Sequence, residues 1–169
     1  MKTSLWFTIL AILFSLSLHS QNINKKITDS ELNQEILIGY CNRAALQEGE
    51  FGEYYLQEYE NYDADKQFIE KIYNVEGSID IVLVLGSWCQ DSQEQVPRFY
   101  RIMDDVNVPD DVITVICVDR NKTGGELSVE HLGIERVPTF IIYRGGEEIG
   151  RIIETPEASL EEDFWNIIK

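Results

Sequence analysis

A short apolar run that ends in a small-residue turn and a cysteine constrains this chain more than any other feature. Residues 79–85 (IDIVLVL) are followed at once by residues 86–92 (GSWCQDS). An apolar run of this length, bounded by turn residues, is typical of a buried strand. The pattern predicts a strand, a tight turn and a helix, with Trp88 and Cys89 at the helix start. The helix dipole and the unpaired backbone N–H groups there favour the thiolate form of Cys89.

Strand-like and helix-like segments alternate from residue 79 to the end of the chain. The sequence predicts strands at 79–86, 112–118, 139–143 and 148–154, and helices at 89–105, near 128–132 and from Thr155-Pro156 onward. The glycine pair at 145–146 predicts the turn of a β-hairpin. A strand–helix–strand unit followed by a hairpin and a closing helix predicts an α/β fold, with a mixed central sheet flanked by helices.

Residues 21–78 are predicted to form a helical N-terminal extension packed on the 79–169 core. The segment 28–31 (TDSE) resembles a capping box, and the helix that it would open has Leu32, Ile36, Leu37 and Tyr40 on one face. Gly49 to Gly52 would end that helix, and Asp63-Ala64-Asp65 would begin another. The aromatic residues between them are Phe51, Tyr54, Tyr55, Tyr59 and Tyr62. They could form a ligand surface, but their spacing favours packing onto a neighbouring layer.

Residues 1–20 have the features of an export signal. Lys2 is followed by a largely apolar stretch from 5 to 18, and Ser20 is a small residue at a plausible cleavage point. The stretch is short for a membrane span, which needs about 20 residues, although an uncleaved anchor is the alternative. No cysteine stands directly after this stretch, which disfavours a lipid anchor. We therefore expect a periplasmic or secreted protein without stable membrane association after cleavage.

The charge balance narrows the choice of partners. The chain has 30 acidic and 14 basic side chains, for a net charge of −16. Nucleic acids and anionic membranes are poor partners for such a surface, because binding phosphates depends on clustered Lys and Arg. The two histidines, His19 and His131, belong to no cluster with metal-ligand spacing, and no glycine loop has a nucleotide-binding pattern. The sequence predicts neither a metal nor an organic cofactor.

Three cysteines, Cys41, Cys89 and Cys117, follow the predicted signal. An odd number leaves at least one thiol unpaired. Cys117 ends an apolar run typical of a central strand, and Cys41 lies in a helical pattern, so both are expected to be small core residues. A structural Cys41–Cys117 bridge is also open, since sequence does not fix the distance between them.

Residues 79–169 resemble the thioredoxin superfamily, and in particular bacterial members with a helical N-terminal extension. The matching features, in chain order, are the strand at 81–85, Trp88-Cys89-x-x-Ser92, Val96-Pro97-Arg98-Phe99, Glu135-Arg136-Val137-Pro138-Thr139-Phe140, the Gly145-Gly146 hairpin and the last helix. Each motif alone is weak, but together and in order they are specific. The resemblance implies a thioredoxin-like fold for this half of the chain.

The resemblance also assigns roles to five residues. Cys89 matches the attacking thiol of the family, Trp88 the aromatic residue beside it, and Ser92 the position of the resolving thiol. Pro138 matches the proline that follows a cis peptide bond and lies against the active thiol. Val137 would then offer backbone hydrogen bonds to an extended substrate segment.

Two departures from the family pattern define the predicted chemistry. Ser92 cannot resolve a mixed disulfide, as a second thiol would, but it can donate a hydrogen bond to the Cys89 thiolate. Leu83 stands where family members often carry a buried acid that serves the second thiol. Asp91 and Glu94 place negative charge near Cys89 and oppose the helix dipole.

The sequence thus predicts a single-thiol CxxS site that exchanges with protein, peptide or small-molecule disulfides and needs an external thiol for release. Cys89 and Ser92 are its predicted catalytic residues, and Trp88, Val137 and Pro138 its substrate-binding residues. The main alternative is a redox-inactive binding module that keeps the groove beside Pro138. A thiol peroxidase is disfavoured, because Val82 and Gly86 occupy the positions where such enzymes carry Pro and Thr or Ser.

Overall fold

The computed structural model describes residues 23–31, 33–75 and 77–169. The predicted export signal lies outside the described residues. The strands are β1 (Lys25–Asp29), β2 (Gln34–Cys41), β3 (Asp80–Leu85), β4 (Ile113–Cys117), β5 (Thr139–Arg144) and β6 (Glu147–Ile153). The α-helices are α1 (Arg43–Leu46), α2 (Gly49–Asn61), α3 (Lys66–Tyr73), α4 (Gln90–Asp105) and α5 (Leu160–Ile168). Two single-turn 3-10 helices span Asp110–Val112 and Glu130–Leu132.

The strands form a mixed sheet in the order β1-β2-β4-β3-β5-β6. The central strands β3 and β4 are parallel and are connected through α4, while the other neighbours pair antiparallel. β5 and β6 form the hairpin predicted at the 145–146 glycine pair. The predicted mixed α/β architecture is confirmed. In the described part of the chain no helix is both long and apolar enough to cross a bilayer.

The prediction of a helix that begins at Thr28 is wrong, because Lys25–Asp29 and Gln34–Cys41 pair as the antiparallel strands β1 and β2. Asp29 accepts the Glu31 backbone N–H at 2.8 Å, and the Asn33 N–H donates to the Asp29 carbonyl at 2.8 Å. These residues therefore close a hairpin turn instead of capping a helix. Asn33 has a left-handed φ of 52°, which asparagine tolerates well. β2 pairs with β1 on one side and β4 on the other, so this part of the extension joins the core sheet.

The rest of the N-terminal extension is helical. The Asp65 side chain accepts the Gln67 N–H and caps α3, as the sequence predicts. On α2, Tyr55 is buried and its ring stacks on Tyr59 with 6.0 Å between centroids. The Arg43 guanidinium lies 4.6 Å from the ring centroid of Tyr100 on α4. Packing between helices thus accounts for the buried members of the aromatic cluster, as expected.

The final helix, α5, begins later than predicted. Its N-cap is Ser159, whose hydroxyl accepts the Glu162 N–H at 3.2 Å, so Thr155-Pro156 precedes the helix by several residues. Glu161 in its first turn is buried and accepts hydrogen bonds from Tyr62 Oη at 2.6 Å and the Asp65 N–H at 2.8 Å. One carboxylate therefore ties the last helix to the segment that leads from α2 into α3.

Apolar side chains pack on both faces of the sheet. On one face, the Phe99 ring contacts those of Phe140 and Phe164, with centroids 4.5 and 5.7 Å apart. The other face carries a smaller cluster, consisting of Val84, Ile116, Val118, Val129, Leu132, Val137 and Ile141. Trp88 and Cys89 are partly buried against this smaller cluster. The core therefore supports the segment that the sequence singles out.

Candidate active site

Cys89 is the N-cap residue of α4, directly beyond the carboxyl end of β3. Its backbone N–H donates to the Gly86 carbonyl at 2.9 Å, and its own carbonyl accepts the Gln93 N–H at 3.0 Å. These bonds fix the turn and the first helical residues around the thiol. The side chain is half-buried, so a partner can reach the sulfur at the positive end of a sixteen-residue helix.

The Cys89 thiol faces the loop that precedes β5. Its Sγ donates to the Val137 carbonyl oxygen at 3.3 Å, and the Val137–Pro138 peptide bond is cis. Both residues are buried, and the Pro138 carbonyl accepts the Glu154 N–H at 2.6 Å, which fixes the loop to the end of β6. The structure therefore brings Cys89, Val137 and Pro138 together, while their functional roles stay predictions.

Ser92 lies beneath the same turn. It is fully buried, and its hydroxyl oxygen accepts the Gly86 N–H at 3.3 Å. The hydrogen bond that the structure gives Ser92 thus holds the turn, whereas its predicted bond to the Cys89 thiolate stays a prediction. Leu83 is fully buried in the larger apolar cluster on the opposite face of the sheet from Trp88.

The Trp88 side chain forms one wall of the site. Its indole Nε1–H donates to the Val118 carbonyl at 2.9 Å. The ring lies over Gly86, where a Cβ atom would come within 2.7 Å of ring atom Cε2. Gly86 is therefore needed for this close approach of a ring to the backbone.

Arg120 and Asp29 hold the outer face of that wall, and the sequence interpretation missed both. The Arg120 guanidinium carbon lies 4.7 Å from the Trp88 ring centroid, within the range of a cation–π contact. Its Nε donates to Asp29 Oδ2 at 2.9 Å, and Asp29 is buried. Lys122 Nζ lies 5.7 Å from the same ring centroid. The sequence did carry one signal for Arg120. It follows β4 closely, and residues just beyond β4 lie at the same edge of the sheet as Cys89, because β3 and β4 are parallel.

The N-terminal hairpin also contacts the active-site turn directly. Ser87 Oγ accepts the Leu37 backbone N–H at 3.0 Å. A surface cavity of about 260 Å³ lies between β2 and the start of α2, and Ser87 forms part of its lining. The hairpin therefore supports the site both at Ser87 and at Arg120.

The charges on the first turns of α4 differ in their surroundings. Glu94 forms an ion pair with Arg98 at 2.6 Å, and Arg98 also contacts Glu58 on α2 at 2.6 Å. Much of the negative charge that Glu94 was expected to direct at Cys89 is therefore compensated by Arg98. Asp91 is half-buried in the first helical turn.

His131 is exposed on the short helix Glu130–Leu132. Within residues 23–31, 33–75 and 77–169, no three His, Cys, Asp or Glu side chains form a cluster suited to a metal ion.

A family model described as thioredoxin (Thioredoxin_9) matches residues 44–162, which is more than half of the chain. The chain therefore belongs to this thioredoxin family, whose members have a general thiol-redox role. Among curated proteins, none matches the chain.

Solved structures with the thioredoxin fold match the chain at low sequence identity. A protein of unknown function, PA1234 from Pseudomonas aeruginosa, is 16% identical over 66% of this chain and 66% of that chain, with a TM-score of 0.46. Trxlp from Edwardsiella tarda is 18% identical over 63% of this chain and 95% of that one, with a TM-score of 0.40. Thioredoxin O2 from Arabidopsis thaliana is 15% identical over 61% and 88%, with a TM-score of 0.41. The family assignment rests on the family match.

Proposed function

We propose that this protein is an exported thiol–disulfide exchange protein that works through the single thiol of Cys89. The observation that carries the proposal is the position of that thiol, at the α4 N-terminus and 3.3 Å from the Val137 carbonyl oxygen. Ser92 occupies the position one helical turn further on, where a resolving thiol would stand. Family membership supports thiol-redox chemistry in general, and the Cys89–Ser92 pair specifies the single-thiol form.

The reaction has two exchange steps that balance. The Cys89 thiolate attacks one sulfur of a disulfide R–S–S–R′, so that a Cys89–S–S–R bond forms and R′S⁻ leaves with the electron pair of the broken bond. An external thiolate R″S⁻ then attacks the sulfur that carries R, so that R″–S–S–R forms and Cys89 leaves as thiolate with the electron pair of the broken bond. Ser92 cannot carry out this second step, because a serine hydroxyl is not ionised near neutral pH and does not displace a thiolate from a disulfide sulfur.

The surroundings of Cys89 suit an extended peptide disulfide. When the Cys89 proton leaves, the Val137 carbonyl loses its donor and becomes free to accept a backbone N–H from a substrate segment. Trp88 provides an apolar wall on the other side of the thiol, with Arg120 fixed against its outer face. A peptide that lies between these walls would place its disulfide at Cys89.

The test exposes the purified protein, expressed from the full chain, to oxidised glutathione and follows each cysteine by peptide mass mapping. We expect a glutathione adduct on Cys89 that persists until a small thiol such as dithiothreitol is added. The Cys89→Ser variant is the control and should show no adduct at position 89. If Cys89 stays unmodified while the protein still binds extended peptides, exchange is excluded and a binding module takes its place.

Export is a separate part of the proposal and has its own test. It is supported by the segment 1–20, with its positive start, apolar stretch and small residue at position 20. Cell fractionation of the tagged full chain should recover a processed protein outside the cytoplasm. An unprocessed protein in the cytoplasmic fraction would contradict export but would leave the chemistry of Cys89 unaffected.

A further inference from the structure

A second pair of thiols lies away from the candidate active site, between β2 and β4. In the register of these antiparallel strands, Cys41 is opposite Val115 and Cys117 is opposite Gly39. Cys41 and Cys117 are therefore diagonal neighbours, two positions apart, with side chains on the same face of the sheet. Both belong to the same buried apolar cluster, and the Cys41 thiol donates at 3.6 Å to the carbonyl oxygen of Gly39, the residue directly opposite Cys117.

The two thiols differ in their access to solvent. Cys41 lines a surface cavity of about 230 Å³, together with Arg43, Tyr100 and Asp110. Cys117 is fully buried and does not line that cavity. A reagent from solution therefore reaches the pair through Cys41, and Cys117 can react only with what Cys41 carries.

The electrostatic surroundings give the two thiols different roles. The hydrogen bond from Cys117 lowers the pKa of Cys41 below its usual value, although burial acts in the opposite direction. Burial, followed by the contact with Cys41, raises the pKa of Cys117. Cys41 is thus the thiol that ionises first, while Cys117 stays protonated.

We propose that Cys41 and Cys117 form a second dithiol–disulfide couple, oxidised by small-molecule disulfides, which cross-links the N-terminal hairpin to the core sheet. This couple works independently of Cys89 and of the function proposed for it. Its substrate class is a low-molecular-weight disulfide that can present its S–S group at the mouth of the cavity beside Cys41, such as cystine or oxidised glutathione.

The oxidation balances in two steps. The Cys41 thiolate attacks the small disulfide R–S–S–R, forms Cys41–S–S–R and releases RS⁻. Cys117 then loses its proton and attacks the Cys41 sulfur, which forms the Cys41–Cys117 bond and releases a second RS⁻. In total, the two protein thiols are oxidised by two electrons, and one small disulfide is reduced to two thiols. Formation of the bond brings the two sulfurs to about 2 Å. Because diagonal neighbours in an antiparallel pair are about 7–8 Å apart, it requires side-chain rotation and a shift of the two strands toward each other.

The cross-link would act on the support of the active site. The hairpin that carries Cys41 also donates the Leu37 N–H to Ser87 and provides Asp29 for Arg120. A covalent bond between β2 and β4 restricts separation of the hairpin from the sheet in the unfolded and partly unfolded states. Oxidation of the second pair would therefore hold the outer wall of the Cys89 site in place.

The test uses the Cys89→Ser variant of the full chain, so that only the second pair can react. After treatment with oxidised glutathione, we expect a final mass lower by two hydrogen atoms and, without reduction, a cross-linked peptide that contains Cys41 and Cys117. Urea unfolding of this oxidised form should have a higher midpoint than that of the reduced form. Because Cys89 is absent, the result is independent of the exchange reaction proposed for it.

Two further variants separate the roles of the thiols. Adding Cys117→Ser should stop the reaction at a glutathione adduct on Cys41. Adding Cys41→Ser should slow modification of Cys117 by about tenfold or more, because a buried thiol reacts only after local opening. The proposal is overturned if Cys89→Ser keeps both thiols after treatment, ends as a stable glutathione adduct, or reacts equally fast without Cys41. Circular dichroism of each variant checks that the fold is kept.

Discussion

The Arg120 guanidinium lies 4.7 Å from the Trp88 ring centroid while its Nε donates to the carboxylate of Asp29 at 2.9 Å. A residue of the N-terminal hairpin thus helps, through one arginine, to hold the ring beside Cys89 in place. The hairpin extends the central sheet past β4, and its turn brings Asp29 to the edge where the active-site segment lies. The hairpin is therefore part of the support of the site.

We predict that Arg120→Ala destabilises the protein by about 2 kcal/mol. The substitution removes the cation–π contact with Trp88 and deprives the buried Asp29 carboxylate of one charged partner. The Trp88 ring should then become more mobile, with a change in tryptophan fluorescence and in the rate at which iodoacetamide modifies Cys89. Urea unfolding measures the first effect, and thiol mapping by mass spectrometry measures the second.

Arg101→Ala is the matched control for this prediction. Arg101 pairs with Asp105 on the exposed side of α4 at 3.2 Å, an arrangement worth about 0.5 kcal/mol or less. The Arg101→Ala substitution should leave the alkylation rate of Cys89 unchanged. Equal effects of the two substitutions would contradict a specific role of Arg120 at the site.

A second prediction concerns the missing resolving thiol. Ser92→Cys would place a thiol one helical turn from Cys89, where residues three apart are neighbours. The mixed disulfide should then resolve internally, and its lifetime should shorten by about tenfold or more, since an internal thiol has an effective concentration of at least about a millimolar. The measurement is the time course of glutathionylated Cys89, followed by intact mass after removal of excess reagent.

The control is Ser92→Ala, which removes the hydroxyl that accepts the Gly86 N–H without adding a thiol. It should weaken the turn by about 1 kcal/mol and leave the mixed disulfide long-lived. An unchanged lifetime in Ser92→Cys would show that the buried position 92 cannot reach the Cys89 sulfur.

Local pattern was enough to predict the core of the fold, but it failed in the hairpin. β3 and the start of α4 follow each other directly, so an apolar run, a turn and a helical spacing predicted them together. In β2, Ile36, Leu37 and Ile38 are all buried, because this strand has neighbours on both sides and both faces are covered. A continuous apolar run of this kind has neither the period of a strand nor that of a helix. The polar residues before it resembled a helix cap, although they form a turn.

The residues of the candidate site also fall into two groups, those that the sequence predicted and those that it did not. Cys89, Ser92 and Trp88 lie within one short segment, and Val137-Pro138 could be added through a family resemblance. Arg120 and Asp29 are 91 positions apart in sequence, and their contact exists only because the hairpin pairs with β4. Long-range ion pairs of this kind leave no periodic signal in a single sequence. They follow from topology, which the incorrect prediction of a helix beginning at Thr28 concealed.

The third prediction is a pH dependence that arises at Asp104 on α4. Burial alone would raise its pKa, but hydrogen bonds from Arg43 and Tyr59 lower the pKa below its ordinary value. Because the folded-state pKa is lower than the unfolded value of about 4, this carboxylate stabilises the protein at neutral pH. That contribution is lost as the pH falls from about 4 through the folded-state pKa. Asp104→Asn should therefore be less stable than the parent at pH 7, by an amount that shrinks under acidic conditions.

Urea unfolding at a series of pH values between 7 and 3 measures this difference. Asp105→Asn, at the neighbouring and exposed position that pairs with Arg101, is the control and should change stability little at any of these pH values. A stability difference for Asp104→Asn that stays constant down to pH 3 would contradict the assignment.

The fourth prediction concerns Glu161, the buried carboxylate of α5. Glu161→Ala should destabilise the protein by about 2–3 kcal/mol, because it leaves the Tyr62 hydroxyl and the Asp65 backbone N–H without their acceptor. Since α5 packs on α3 and β6, hydrogen exchange should speed up first at the start of α5 and around Asp65. Glu162→Ala, one position along the helix and less buried, is the control and should change the free energy of unfolding by less than about 0.5 kcal/mol. Equal losses in the two variants would mean that helix propensity, and not the bridge to Tyr62 and Asp65, sets the stability of this end of the chain.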